Sequence, residues 1–488
     1  MFLTDLRALL GDPHVLTGAD AESYLVDWRG RYRGDALAVA RPADAQQVAQ
    51  VVALCARHGV AIVPQGGNTG LCGGATPDAS GAALLLSLRR LDRIREIDAA
   101  NDTITVEAGC VLQAVQQACQ NAGRLFALSL AAEGSCTVGG NLATNAGGTQ
   151  VLRYGNTRDL TLGLEVVTPQ GELWQGLRGL RKDNTGYSLR DLYIGSEGTL
   201  GVITAATFKL YPLPVAQSTA LLALPGLEQA VALLGLARAG FGPALTGFEV
   251  MAADVLAQVS ACFPAQRLPF DGAAAASPWF ALLEVSDSES QAHARERFET
   301  VLGQAIEAGL AGDAVIAESQ AQSDALWHLR ESIPLAEAQT GKSIKHDVSI
   351  PASRIAGFVA TTNALLQQHF PGVRNVVFGH LGDGNLHYNV ARAPRQTEAQ
   401  LLALQPQVYR LVHDSVHAHG GSISAEHGVG QLKRDELPVY KSAVELALMQ
   451  RIKAALDPQG IMNPGKLLQP AAARGQADAG AARDASPT

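Results

Sequence analysis

The sequence predicts an α+β protein built in two parts, and three observations lead there. Strand-length apolar runs alternate with amphipathic runs of helix length along the 488 residues. Two glycine-rich stretches, PQGGNTGLCGG at 64–74 and EGSCTVGGNLATNAGG at 133–148, interrupt the first part. Pro212 and Pro214 then punctuate the chain where the pattern changes. A prior of ~150 residues per domain gives about three domains, and two larger ones also fit.

In order, residues 1–35 read as a short helix and a polar lead-in. A strand at 36–42, a helix at 43–58 and a strand at 60–64 follow. That strand runs into Gln65, Gly66, Gly67, Asn68, Thr69 and Gly70, whose successive backbone N–H groups could form a nest around a pyrophosphate. The loop is neither the GxGxxG of a dinucleotide-binding unit nor a Walker A loop, since no Gly-Lys-Ser/Thr follows. Strands are expected at 83–86 and 103–107 and a helix at 111–122. In the stretch 133–148, five glycines are interleaved with Val138, Leu142 and Ala143, which suits a buried loop that a bulky anionic cofactor approaches closely. Strands at 162–168 and 201–210, with glycine breaks at 181–186 and 194–200, complete the first part to residue 215.

The second part, 216–420, is expected to be α+β with a mainly antiparallel sheet covered on one face. Its strands are placed at 220–223, 245–250, 279–285, 314–318, 343–350, 373–381 and 386–391. Its helices are placed at 226–239, 290–308, 323–333 and 352–369, with a loop across 251–278. A long helix at 397–419 leads to GGSISAEHGVG, and another at 440–456 leads to DPQGIMNPGKLL; residues 421–468 are assigned to completing the site. The tail 469–488 has almost no large apolar residue and is expected to be disordered.

A net charge of -8 and a pI near 5.9 disfavour nucleic acid and anionic membrane surfaces as partners. The six cysteines are irregularly spaced without a CxxC pair, which fits reduced cytoplasmic thiols and offers no ligand set for an iron–sulfur cluster. No basic n-region with an apolar core opens the sequence and no run approaches ~18 apolar residues, so a cytoplasmic protein without a transmembrane segment is expected.

The stretch GHLGDGNLHYN carries a geometric deduction. Asp383-Gly384 signals a two-residue type I′ turn, and a hairpin centred on it pairs Leu381 with Leu386 and His380 with His387. Directly paired residues share a face with Cβ atoms ~5 Å apart, so the two imidazoles could hold one metal ion, with Asn389 on the same side. Glu426, beside His427 in SAEHGVG, could be a third, hard ligand. The plain alternative is a packed or hydrogen-bonded histidine pair. Arg330 and Lys345, taken alone, read as solvated cations.

These residues carry a likeness. From about residue 36 to 468, through PQGGNTGL, EGSCTVGGNLATNAGG, KDNTGY, IGSEGTLGVIT, GHLGDGNLH, SAEHGVG and NPGK, the chain resembles the FAD-dependent D-2-hydroxyacid dehydrogenases of the vanillyl-alcohol oxidase type. The resemblance implies a two-part FAD-binding domain over 36–215 and a substrate and metal cap over 216–420. It implies that FAD is enclosed by Gly66, Gly67, Asn68, Thr69 and Gly70, by Gly134, Ser135, Thr137, Gly139 and Gly140, by Asn145, Gly147 and Gly148, and by Glu197, Gly198 and Ile203, with Asn463 near the flavin ring. A zinc-like divalent ion on His380, His387 and Glu426 is implied, with Arg330, Lys345 and Asn389 binding substrate carboxylates and His427 as general base. The motif GGSISAEHGVG favours the branch acting on D-2-hydroxyglutarate, although Pro334 stands where that branch carries a threonine hydroxyl. The first phosphate loop has no histidine and Cys72 is its only nucleophile, so FAD is expected to be non-covalent. With no cluster ligands in the sequence, electrons would pass to an external acceptor such as an electron-transfer flavoprotein or a quinone; a homodimer is the assembly considered. The rivals are a D-lactate or other short D-2-hydroxyacid dehydrogenase, a metallohydrolase, and a non-catalytic flavin-binding subunit.

Overall fold

The structure, a computed structural model, describes residues 1–469. The expected disorder of the tail therefore lies, but for Gln469, outside the described residues.

The first part is two sheets and a two-stranded ribbon. Strands β1 (Val15–Leu16), β2 (Ala38–Ala40), β3 (Ile62–Gln65) and β4 (Leu84–Ser87) form one in the order β1-β2-β4-β3. The helix Ala45–His58 covers it, capped by the Asp44 carboxylate and stopped by Gly59 at φ 64. The next strands are β5 (Ile94–Asp98), β6 (Thr103–Glu107), β7 (Arg124–Leu125), β8 (Thr161–Val167), β9 (Leu173–Gly176), β10 (Val202–Lys209) and β11 (Tyr211–Pro212). Five of them make an antiparallel sheet in the order β5-β6-β10-β8-β9, while β7 and β11 pair with each other. Strands β5 and β9 were absent from the sequence reading; β5 is largely exposed and charged, so it lacks the apolar alternation that marks a strand.

The stretch 133–148 is not one loop. Its middle is the helix Val138–Thr144. Gly139 lies within it because a Cβ there would sit 2.7 Å from the Ala108 methyl at the end of β6. Glycine here permits a helix to press on a strand end.

The second part is one eight-stranded sheet made of β12 (Ala216–Leu224), β13 (Leu245–Ala252), β14 (Trp279–Asp287), β15 (Asp313–Ile316), β16 (Ser343–Ile344), β17 (Asp347–Ser349), β18 (Arg374–His380) and β19 (Asn385–Ala391). The path is β15-β12-β14-β13-β18-β19-β16, with β17 also on β19, and every pairing is antiparallel, as expected. The expectation of one covered face fails. Leu222, Val250 and Leu283 point into one core with Phe298, Phe358 and Val412, and Leu221, Met251 and Leu282 into another with Leu256, Leu329 and Ile333. The second layer includes the helix Ala253–Cys262, inside the span expected to be a loop, where Val255, Leu256 and Val259 are buried at helical spacing. The expected strand 343–350 is interrupted at Lys345 and His346, and the expected helix 397–419 is two, Glu398–Ala403 and Gln405–Ala418, because Pro406 starts the second turn afresh.

Candidate functional site

The hairpin of β18 and β19 is two residues out of the expected register: Phe378 faces His387 and Val377 faces Tyr388. A type I′ turn needs positive φ at both central residues, and only Gly384, at φ 86, adopts it. The strands instead close through the four residues 381–384. A shift of two preserves the face of every side chain, so His380 and His387 remain together with ring centroids 5.8 Å apart. Candidate ligand atoms of His380, His387 and Glu426 lie within 4.8 Å of one another, and so do those of Asp347, Glu426 and His427. His387 and His427 are stacked with centroids 6.3 Å apart. Two imidazoles and a carboxylate, with His387 and Glu426 only half-buried, are a donor set that suits a borderline or hard divalent ion.

Behind these groups stand three acids that sequence reasoning did not single out. Glu249 is opposite His380 in the β13–β18 register and wholly buried; its carboxylate takes the His380 Nδ1 hydrogen and, at 2.6 Å, the Arg330 Nε–H. Burial pushes its pKa up, but His380 and Arg330 outweigh that and hold it at about 2. Burial likewise opposes the charge on His380, and Glu249 reverses the balance to about 9. Arg330, expected to be exposed from its sequence alone, is buried with its guanidinium 4.9 Å from the Phe378 ring centroid. Asp347 faces His387 across β17–β19. Its Oδ2 accepts the backbone N–H of Glu426 and of His427, each at 2.9 Å, and lies 3.4 Å from His427 Nδ1. Glu337, on the helix Ile333–Thr340, pairs with Lys345 and accepts from Asn389 Nδ2 at 3.0 Å. Asn389 Oδ1 takes the His346 N–H, so its amide is committed on both sides. The signal for Glu249 was present: it is an acid within a largely apolar strand. Pro334 lies exposed in the first turn of the Glu337 helix.

Desolvation lowers the pKa of His427, with Asp347 opposing, and lowers that of His387 far more, so both are neutral near pH 7. Desolvation, with Asp347 and Asp383 adding to it, raises Glu426 to about 7.

The glycine-rich stretches meet this cluster from the other part. Gly67 N–H donates to Thr137 Oγ1 at 3.2 Å, and a Cβ on Gly67 would fall 2.3 Å from the Ser135 carbonyl oxygen, so the two stretches are packed on each other. Several glycines thus serve contact within the protein. Gly70 has open space where a Cβ would be, and Gly134 and Gly140 meet nothing nearer than 3.4 Å, which leaves room for a bound group. A groove of about 460 Å³ opens beside Ser135 and Thr137, lined also by Arg89 and Val111. Asn68 at φ 59 and Asn145 at φ 51 turn the chain at either side, Thr69 is half-buried next to Asn68, and Gly148 presses on the Ser129 carbonyl. Ile203 is buried in β10. Glu197 accepts the N–H groups of Val429 and Gly430, both at 2.7 Å, and so clamps the SAEHGVG segment onto the first part. Gly198 packs on Pro64. Asn463 Nδ2 donates to the Glu197 and Gly74 carbonyls, while its Oδ1 is buried without a partner, as are Gln65 Oε1 and Asn141 Nδ2. Buried orphans around a cradle are what a hydrogen-bonding cofactor would satisfy. A Cβ on Gly147 would lie 2.8 Å from Glu426 Oε1, so the cradle abuts the histidine cluster.

A main-chain cradle fit for a flavin nucleotide beside a cluster of histidines and acids defines a flavin-linked oxidoreductase. Family models for an FAD binding domain and for the C-terminal domain of FAD linked oxidases match residues 36–176 and 213–467. The chain is 41% identical over 453 residues to D-2-hydroxyglutarate dehydrogenase of Xanthomonas citri pv. viticola, covering 92% of this chain and 93% of that protein. It is 39% identical over 444 residues to the mitochondrial D-2-hydroxyglutarate dehydrogenase of Bos taurus, covering 91% and 79%. Among solved structures, p-cresol methylhydroxylase with substrate bound shares the fold at a TM-score of 0.75 and 18% identity over 96% of each chain. The chain belongs to the FAD-dependent D-2-hydroxyacid dehydrogenases of the vanillyl-alcohol oxidase type.

Proposed function

We propose that the protein oxidises D-2-hydroxyglutarate to its 2-oxo acid, using non-covalent FAD and a divalent ion, and passes electrons to an external acceptor. The observation that carries this reading is the convergence of His380, His387, Glu426, His427 and Asp347 against Gly147 of the cradle. When bound, FAD supplies a hydride acceptor and the ion supplies Lewis-acid polarisation of an alkoxide-forming oxygen. His380, His387 and Glu426 would hold the ion, with Glu249 fixing the His380 ring through Nδ1 so that its other nitrogen would serve as the ligand once its proton is lost. His427, neutral because it is desolvated, takes the proton from the substrate 2-hydroxyl. Asp347 orients it from the backbone N–H and from Nδ1 and stabilises the imidazolium that forms. Cys72 is buried with its pKa pushed up to about 11, chiefly by desolvation, which supports a packed thiol over a covalent flavin link. No helix among the described residues is long and apolar enough to cross a membrane.

A second reading, in which the substrate is a shorter 2-hydroxy acid such as D-lactate, is favoured by one observation: Arg330 and Lys345 are each already paired with a carboxylate. Anaerobic mixing of the flavin-loaded protein with D- and L-2-hydroxy acids decides between them. D-2-hydroxyglutarate should bleach the flavin fastest; D-lactate outperforming it moves the assignment, and no bleaching by any 2-hydroxy acid removes both.

A further inference from the structure

The segment preceding β2 is more than a lead-in. Val26 and Arg33 pair as an antiparallel bridge, Gly30 N–H donates to the Asp27 carbonyl at 2.9 Å, and Tyr32 N–H donates to Asp27 Oδ1 at 2.7 Å. These bonds close a tight loop with Trp28, Arg29 and Gly30 at its tip. The loop is fastened to the cofactor cradle, where Asn68 Nδ2 donates to the Val26 carbonyl and Gln65 Nε2 to that of Tyr24, both at 2.9 Å. It is fastened to the cap as well, by Arg31 to Gln405 Oε1 at 2.9 Å. The tip is thereby held across the junction of the two parts, where the histidine cluster lies.

Three arginines sit in this loop, and two of them have partners: Arg31 has Gln405 and Arg33 has Glu22. Arg29 is half-buried and makes no hydrogen bond or ion pair with any described residue. A partly desolvated guanidinium without an anion is costly, and its five N–H donors are shaped for a carboxylate. A Cβ on Gly73 would lie 2.5 Å from Gln431 Nε2 and 2.8 Å from the Tyr32 ring, so the loop stands against the chain that follows SAEHGVG, at the mouth of the same cavity. Of the other cations there, Arg330 is neutralised from within by Glu249 and Lys345 by Glu337, while Lys433 is buried with its Nζ donating to the Ile423 carbonyl. Pro334 adds no hydroxyl.

We infer that Arg29 is the specificity-determining cation that receives the distal carboxylate of a 2-hydroxy dicarboxylate, an inference that rests on the D-2-hydroxy-acid reading given above. The carboxylate next to the reacting carbon lies with the histidine cluster, and the one at the far end of the substrate meets the loop tip. A monocarboxylate leaves Arg29 as it is in the structure.

The test compares D-2-hydroxyglutarate with D-2-hydroxyvalerate, which has the same carbon skeleton without the distal carboxylate, in the flavin-loaded full-length protein. The wild type should prefer the dicarboxylate. In Arg29→Ala that preference, measured as the ratio of kcat/KM values, should fall ~10- to 100-fold with the change carried by KM. Arg29→Lys should recover part of it. Glutarate, which has no 2-hydroxyl to oxidise, provides a readout without turnover: its perturbation of the flavin spectrum should require higher concentration by the same factor. Arg29→Gln, which keeps the first three carbons of the side chain and a polar end without the charge, should repeat the result if the alanine variant loses flavin. A wild-type preference retained in both variants, or unchanged glutarate binding, overturns the role of Arg29. A wild type without preference for the dicarboxylate overturns the substrate reading itself.

Discussion

Glu249→Ala would strand two groups at once. The carboxylate is fully buried and is the anion for both Arg330, itself only 7% exposed, and His380. Its pKa of about 2, against about 4.5 for an ordinary glutamate, corresponds to roughly 3 kcal/mol of interaction in favour of the charged form. Truncating one partner of a buried pair costs about 3–5 kcal/mol, because the remaining charge stays desolvated. A cap of this size should then lose roughly 6–20 °C in Tm. The sign with pH follows from a depressed carboxylate: the stabilisation is complete above the unfolded pKa and disappears as pH falls toward the folded one. The raised His380 adds the opposite dependence, so the gap in unfolding free energy between wild type and Glu249→Gln should be widest between about pH 5 and 6.5, close progressively below that, and narrow again as pH rises toward 9, where His380 loses the proton that Glu249 holds on it. Urea unfolding of both proteins across that range, followed by circular dichroism, measures it. A Tm within ~2 °C of wild type for Glu249→Ala would refute the reasoning, because the network would then carry no net energy.

Asp347→Asn keeps the shape but loses the anion beside His427, and kcat should fall ~100-fold or more, with a displaced pH profile measured in steady-state kinetics. Chelation should abolish turnover while the flavin stays bound, because the cradle glycines and the histidine cluster belong to different parts of the chain; full activity in a metal-free preparation would remove the ion from the mechanism. Acid or heat denaturation should release intact FAD into the supernatant, and flavin remaining on the polypeptide would point first to Cys72. Gly67→Ala would drive a methyl group to within 2.3 Å of the Ser135 carbonyl, so its FAD content after purification should be far below that of wild type.

What the sequence disclosed follows the range of the interactions involved. The antiparallel cap sheet and the shared face of His380 and His387 were legible because both depend on period-two patterning, which survives a register error of two residues. The register itself was not, since Asp383-Gly384 is a strong local turn signal and Gly384 is instead held against the Ile350 carbonyl, where a Cβ would lie 2.3 Å away. The helix Val138–Thr144 was hidden by Gly139 and Gly140, which are poor helix formers, and Gly139 is explained only by its contact with Ala108. Glu249 lies 131 positions from His380 in sequence and Glu337 is 52 from Asn389, and no local pattern reports such pairings.

Those distant pairings change how the charges of the cavity should be counted. By the family resemblance, Arg330 and Lys345 were two cations that bind the substrate carboxylates. In the fold each has a buried carboxylate of its own, and detaching either to meet a ligand would strand Glu249 or Glu337, neither of which has water to turn to. Both can still donate to a ligand from their remaining N–H groups, but as members of neutral pairs they offer orientation more than net charge. Net attraction for an anion must come from cations without an internal partner, and in the loop that bridges cradle and cap Arg29 meets that condition. Specificity for a second carboxylate is therefore sought in the segment before β2, outside the span matched by the FAD-binding model, and not on the helix that carries Arg330.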